Sequence, residues 1–93
     1  MTTRELWFAE CPYDDQGLIR PLVATDGTIV LMCDAGGTVW LHPQDVAQGR
    51  SFEPEGPDWE AADGVRVVPG TTRWAGRDDL NASPWDSIPW KEL

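Results

Sequence analysis

The feature that most constrains this chain is an Asp26-Gly27 pair between two apolar segments. Residues 18–25 and 28–33 are rich in Leu, Ile and Val, which favour β-strands. An Asp-Gly pair suits the two central positions of a two-residue type I′ turn, and the sequence therefore predicts an antiparallel hairpin. Pro21 lacks an N–H group, so we expect its strand to lie at a sheet edge, or Pro21 itself to occupy a position without a ladder hydrogen bond.

Further strands are predicted on both sides of this hairpin. Residues 38–41 follow a tight Gly-rich reversal and end before Pro43, which predicts a third antiparallel strand. Residues 6–10 form a short apolar and aromatic run that predicts a first strand. We therefore expect a mainly β fold with a three-stranded antiparallel sheet, in one small domain that spans residues 1–93.

Two short motifs flank the hairpin, and each begins with a cysteine. They read Cys-Pro-Tyr-Asp at residues 11–14 and Cys-Asp-Ala-Gly at residues 33–36. This arrangement resembles the two knuckles of a zinc ribbon, in which paired Cys-x-x-Cys turns converge on a tetrahedral zinc ion. The resemblance implies a zinc-ribbon-like framework over residues 6–46, about half of the chain.

Each knuckle lacks its second cysteine. Asp14 and Gly36 stand at those positions, which leaves Cys11, Asp14 and Cys33 as the candidate metal ligands. His42 is not counted, because a strand that rises about 3.3 Å per residue carries it away from the knuckle. Three states of the cysteines stay open: a residual zinc site, a disulfide, or two buried thiols where a metal once sat. We favour the third state, without a cofactor and with tryptophan packing in the metal's place.

The second half of the chain is less regular. Residues 43–48 predict one helical turn. Residues 50–64 combine Pro and Gly with five acidic side chains, which predicts a loop. Residues 65–68 predict a fourth strand added to the sheet, and residues 73–80 predict a short helix capped by Thr71 or Thr72.

The C-terminal region repeats a Pro-Trp pair, at Trp85 and at Trp90. The proline stiffens the backbone ahead of each large ring, which is typical of a segment that docks on a surface. Two interpretations stay open. The indoles cover the protein's own sheet, or they form an aromatic surface for a partner.

Charge excludes one class of partner. The chain has 7 basic and 16 acidic side chains and a formal net charge of −9, so it repels the phosphates of nucleic acids and attracts basic surfaces. The N-terminal residues lack the pattern of a signal peptide, and no segment approaches the ~20 apolar residues of a membrane span. We therefore expect a cytoplasmic protein that binds neither membrane nor nucleic acid.

The sequence offers no catalytic arrangement. His42 is the one histidine and lies beside Pro43, while Cys33 is followed by Asp34, whose negative charge disfavours a thiolate. No Gly-rich phosphate loop precedes a Lys-Ser or Lys-Thr pair. We predict that the protein is not an enzyme.

The sequence thus favours an acidic protein-binding module, such as an inhibitor or immunity-type protein for a basic partner, for example a nuclease toxin. The alternative is a metal-binding structural or accessory subunit of a larger assembly. The predicted partner contacts are acidic and tryptophan side chains: Asp58, Trp59, Glu60, Asp63, Asp78, Asp79, Trp85 and Trp90.

Overall fold

The computed structural model describes residues 6–13, 16–62, 64–81 and 84–92. This part of the chain contains nine short strands: β1 (Leu6–Trp7), β2 (Ala9–Glu10), β3 (Leu18–Val23), β4 (Ile29–Cys33), β5 (Val39–Trp40), β6 (Glu60–Ala62), β7 (Val65–Arg66), β8 (Arg73–Trp74) and β9 (Lys91–Glu92). It also contains two short helices, α1 (Pro43–Gln48) and α2 (Arg77–Leu80), and one 3₁₀ helix (Pro84–Ser87). The fold is mainly β, as the sequence predicts.

The central sheet is antiparallel and is built around the β3–β4 hairpin. Its strands lie in the order β2-β3-β4-β5, and β8 also pairs with β3. The predicted three-stranded antiparallel sheet is confirmed as β3, β4 and β5. Two further two-stranded ladders join β1 to β9 and β6 to β7.

The turn of the hairpin differs from its prediction by one residue. Ala24 donates its N–H to the carbonyl of Thr28, and the N–H of Gly27 returns to the carbonyl of Ala24. Residues 25–27 therefore form a three-residue connection in which Gly27 takes a left-handed φ of 93° and Asp26 does not. The prediction of a two-residue type I′ turn was wrong. The side chain of Asp26 accepts the N–H of Thr28 at 3.0 Å, which stabilises the longer turn.

Pro21 lies in a strand that has neighbours on both sides, so the expectation of an edge strand was wrong. It stands opposite Leu31. Because Ala24 and Thr28 form a hydrogen-bonded pair and such pairs alternate along an antiparallel ladder, Pro21 falls at a non-hydrogen-bonded position toward β4. On its other side it lies between the stretches of β3 that pair with β2 and with β8. The alternative expectation, a position without a ladder bond, is confirmed there.

The two faces of the central sheet bury different side chains, since successive strand residues point to opposite faces. We call one the tryptophan face, whose buried cluster is Leu6, Cys11, Ile19, Leu31, Cys33, Trp40, Ala75, Leu80 and Trp90. We call the other the valine face, whose buried cluster is Leu22, Ala24, Val30, Val39 and Val67. In β5, Val39 belongs to one face and Trp40 to the other.

The predicted fourth strand exists but does not extend the central sheet. The structure has it as β7, which pairs with β6 in a separate ladder. The connection to the hairpin is made by single hydrogen bonds: Thr25 donates its N–H to the carbonyl of Arg66 at 2.9 Å, and its hydroxyl oxygen accepts the N–H of Val68 at 3.0 Å.

The predicted helix over residues 73–80 is shorter than expected. Residues 73 and 74 form β8 instead, where Trp74 pairs with Leu22 and lies under the guanidinium of Arg20 at 4.3 Å. These contacts come from β3, so local helix propensity does not reveal them. Helix α2 begins after Gly76, whose N–H is accepted by Asp79 at 2.8 Å. Asp79 thus lies in the first turn, where a carboxylate is favourable, and neither predicted threonine is the cap.

The connection between β5 and β6 agrees with its prediction for most of its length. Helix α1 forms as expected and ends at Gly49, which takes a left-handed φ of 71°. Residues 50–59 form no strand, although Phe52 and Val39 exchange two backbone hydrogen bonds of 2.8 Å. Strand β6 at the end of this predicted loop was not expected. Phe52 ties the segment to the edge of β5.

Candidate functional site

The two cysteines lie inside the tryptophan face as buried thiols, with 7 % of Cys11 and 1 % of Cys33 exposed. Gly36 donates its N–H to the sulfur of Cys33 at 3.3 Å. Gly17 passes close to both residues: a Cβ at this position would lie 2.6 Å from the sulfur of Cys33 and 3.3 Å from the Cβ of Cys11. The hairpin therefore brings the first positions of the two predicted knuckles close to one glycine.

The predicted metal ligands are described only in part. Cys11 and Cys33 have the positions given above, while Asp14 lies outside the described residues. Across the ranges that the structure describes, no three His, Cys, Asp or Glu side chains gather in an arrangement that could hold a metal ion. The metal site therefore stays a prediction.

The repeated tryptophans of the C-terminal region pack against the protein itself. Trp90 is 7 % exposed and donates its indole N–H to the carbonyl of Trp85 at 2.9 Å. The ring of Trp90 meets Phe8 edge-on at 6.2 Å, and the half-buried ring of Trp85 lies 6.2 Å from His42. Of the two interpretations of this segment, the structure agrees with cover of the protein's own sheet.

The acidic side chains of α2 lie among basic ones. Asp79 accepts two hydrogen bonds from the guanidinium of Arg73, at 2.7 and 2.5 Å. These bonds, with the N–H of Gly76, hold the pKa of Asp79 below its usual value. Arg77 and Glu92 form a second ion pair at 3.8 Å. Asp78 is exposed beside them and lines the same groove of about 670 Å³. The charges around this groove largely neutralise one another.

The acidic side chains before and within β6 have a different environment. We call residues 53–60 the acidic loop, since its four carboxylates are all exposed: Glu53, Glu55, Asp58 and Glu60. No basic residue occurs between residues 51 and 62. Glu60 accepts the N–H of Gly64 at 2.8 Å and stands opposite Arg66 in the β6–β7 ladder. Asp63, the other predicted contact nearby, lies outside the described residues.

Trp59 is held in the acidic loop by its backbone. It has a φ of 56°, a left-handed conformation that non-glycine residues rarely adopt. Two hydrogen bonds hold it there: its N–H donates to the carbonyl of Glu55 at 3.0 Å, and its carbonyl accepts the N–H of Val67 at 2.9 Å. Its indole packs on Gly56, where an added Cβ would lie 3.3 Å from the ring nitrogen. Gly56 thus allows the ring to lie flat on the backbone.

Trp59 also lines a groove of about 370 Å³ on the outer side of the valine face. We call it the Trp59 groove, and its lining residues are mostly non-polar: Met32, Gly36, Gly37, Glu53, Pro54, Glu55, Trp59, Val67 and Pro69. Two of them are acidic and none is basic. This groove shares no lining residue with the groove beside α2. The predicted contacts therefore belong to separate surfaces.

Sequence reasoning identified Trp59 and missed the rest of this groove. Its floor comes from Met32 on β4 and Val67 after β7, which are far apart in sequence. The signal that was present is the alternation of acidic residues with proline at residues 53–55, immediately before Trp59.

Comparison with known proteins adds no family. The chain matches no protein-family model, no curated protein and no solved structure at a significant level. Within the described residues, no helix has the length and apolar character needed to cross a membrane.

Proposed function

We propose that this protein is a non-catalytic module that binds a basic protein through its acidic loop, in the manner of an inhibitor or immunity-type protein. The observation that carries the proposal is the run of four exposed carboxylates at residues 53–60, in a segment without a basic residue. Carboxylates on a compact surface attract a basic partner over a distance and accept hydrogen bonds from its side chains on contact.

The positions of the basic residues support this proposal. Most of those in the described ranges interact within the protein, away from the acidic loop: Arg20 with the Trp74 ring, Arg73 with Asp79, Arg77 with Glu92, and Lys91 with the Trp7 ring. Arg66 stands opposite Glu60 in the β6–β7 ladder, so the negative charge of the acidic loop rests mainly on Glu53, Glu55 and Asp58. The overall charge of −9 acts in the same direction and speeds encounter with a basic partner at low salt.

A capture experiment tests the proposal with matched baits. The wild-type protein and two double variants, Asp58→Asn/Glu60→Gln and Glu10→Gln/Asp86→Asn, would capture proteins from the native cell at low and at high salt, followed by mass spectrometry. Both variants remove two exposed charges, but only the first removes them from the acidic loop.

We expect a basic protein that is retained by the wild type and the Glu10/Asp86 control, lost at high salt, and weakened by the Asp58/Glu60 variant. A partner that is neutral, or whose capture is indifferent to salt, would contradict the proposal. Equal weakening by both variants would show that net charge, and not the acidic loop, determines binding.

One observation favours a second candidate, a metal-binding accessory subunit with a zinc-ribbon-like framework. The N–H of Gly36 points to the sulfur of Cys33 at 3.3 Å, and such a bond from the knuckle backbone stabilises a thiolate ligand. Elemental analysis of protein purified from a zinc-supplemented culture tests it. About one zinc per chain that is lost in Cys33→Ser supports this candidate, while a metal-free wild type contradicts it.

A further inference from the structure

The Trp59 groove combines non-polar side chains with charges of one sign. Trp59, Met32, Val67 and two prolines supply non-polar surface, and Glu53 and Glu55 are exposed carboxylates among the lining residues. Its volume of about 370 Å³ is at the low end of the ~300–1,000 Å³ range of small-ligand pockets, which suits one long side chain better than a folded element.

We propose that the Trp59 groove receives an arginine side chain from an extended basic segment of the partner. This inference rests on the proposed function and names the place where the partner is recognised. The methylene groups of arginine would lie on Met32 and Val67, and the guanidinium would stack on the indole of Trp59 and bind the carboxylates of Glu53 and Glu55.

Charge selects this occupant among those that fit an apolar groove. A wholly apolar side chain would take the two carboxylates out of water without giving them a partner, which is costly. An acidic or phosphorylated segment would be repelled by the same two groups, since no basic residue lines the groove. Arginine satisfies both parts of the groove, and its planar guanidinium stacks on an indole better than the ammonium of lysine does.

The backbone prepares the groove before a partner arrives. The left-handed conformation of Trp59 is fixed by its hydrogen bonds to Glu55 and Val67, and its ring packs on Gly56. An aromatic wall that is already ordered loses little conformational entropy on binding. Recognition therefore needs no rearrangement of the loop.

The experiment uses the full chain labelled with ¹⁵N and two peptide probes. One probe is N-acetyl-Gly-Arg-Gly-amide, and the other carries citrulline, which has the same shape without the charge, in place of arginine. The indole N–H signal of Trp59 is assigned by its disappearance in Trp59→Phe. We expect the arginine probe to shift this signal in a saturable way, and the citrulline probe to bind about 5- to 10-fold more weakly.

Two double variants locate the effect. Glu53→Gln/Glu55→Gln is expected to weaken the arginine probe by about 5- to 10-fold, because it removes the carboxylates that line the groove. Glu10→Gln/Asp86→Asn removes the same charge elsewhere and is expected to leave the affinity within about 2-fold. The amide spectrum of either variant is expected to match that of the wild type outside the mutated sites.

Three results overturn the groove proposal: equal shifts by both probes, equal effects of both double variants, or no shift of the Trp59 indole at millimolar probe. These results leave the proposed function separately testable. A basic protein captured in a salt-dependent way through Asp58 and Glu60 would retain that function while excluding the groove as its arginine site.

Discussion

The two faces of the central sheet are covered in different ways. The tryptophan face is covered by both ends of the described chain and by α2. Beneath this cover, the side chains of Trp40 and Cys33 are fully buried. The valine face has a smaller buried cluster and is covered by Trp74 and by the β6–β7 region, through Ala61, Val65 and Val67. The same alternating strands supply both faces, so the difference comes from what packs on them.

This difference separates two tasks within a small domain. Closely packed aromatic residues on one side supply apolar burial, which is the main source of stability for a chain of this size. The thinner cover of the other side leaves a groove lined by Trp59 and exposed carboxylates. We therefore expect core substitutions on the tryptophan face to affect folding most, and substitutions of the exposed groove carboxylates, Glu53 and Glu55, to affect binding with little effect on folding.

The strongest test of this contrast compares one truncation on each face. Leu31→Ala, on the fully buried side, is expected to lower the free energy of unfolding by about 2–5 kcal/mol. Leu22→Ala makes the same truncation on the valine face, where the cover is thinner, and is expected to cost about 2 kcal/mol, the low end of that range. Urea unfolding followed by circular dichroism measures both, and equal losses would remove the proposed difference between the faces.

A second test probes the close approach beneath the two cysteines. Gly17→Ala is expected to cost about 1–3 kcal/mol, because its new Cβ would lie 2.6 Å from the buried sulfur of Cys33. Gly36→Ala is the control, since its Cβ would meet the same sulfur at 3.7 Å, an ordinary contact. Thermal unfolding compares the two variants. If Gly17→Ala and Gly36→Ala have the same melting temperature, the tryptophan face is less tightly packed at this point than the structure indicates.

The smallest expected effect concerns the ion pair at α2. Arg73 and the N–H of Gly76 lower the pKa of Asp79 from 3.8, so its stabilisation is present above that pH and is lost as pH falls through the lowered pKa. Asp79→Asn should therefore destabilise the protein at neutral pH, and the difference from wild type should shrink in acid. Asp78→Asn removes the same charge from an exposed neighbour and should unfold like the wild type at pH 7. Urea unfolding at pH 7 and at a series of pH values below 3.8 measures these differences, and an Asp79→Asn effect that does not shrink along the series would show that the ion pair is not its cause.

The elements predicted well are those that local chemistry determines. The hairpin follows from apolar strands on both sides of Asp26-Gly27, and α1 follows from Pro43 and Gly49 at its ends. The predicted helix over residues 73–80 failed where distant residues decide. Trp74 forms a strand because it pairs with Leu22 and packs under Arg20, which lie about fifty residues earlier in the sequence.

The candidate site was predicted only in part for the same reason. The acidity of residues 53–60 and the presence of Trp59 are visible in the sequence. The groove itself is not, because it depends on the left-handed backbone of Trp59 and on Met32 and Val67 meeting across the valine face. The hydrophobic periodicity of the sequence does not predict that these distant residues line one groove. The predicted contribution of Trp90 to a partner surface also depended on packing, which buries this residue in the protein's own core.

The pairing of β1 with β9 has a consequence for how the protein is made. Leu6 and Trp90 come from opposite ends of the described chain and belong to the same buried cluster. A ribosome releases the chain from its N-terminus, so the tryptophan face cannot close until residue 90 has left the exit tunnel. The nascent protein therefore exposes part of its aromatic core until residue 90 has emerged, and the tryptophan face closes only then.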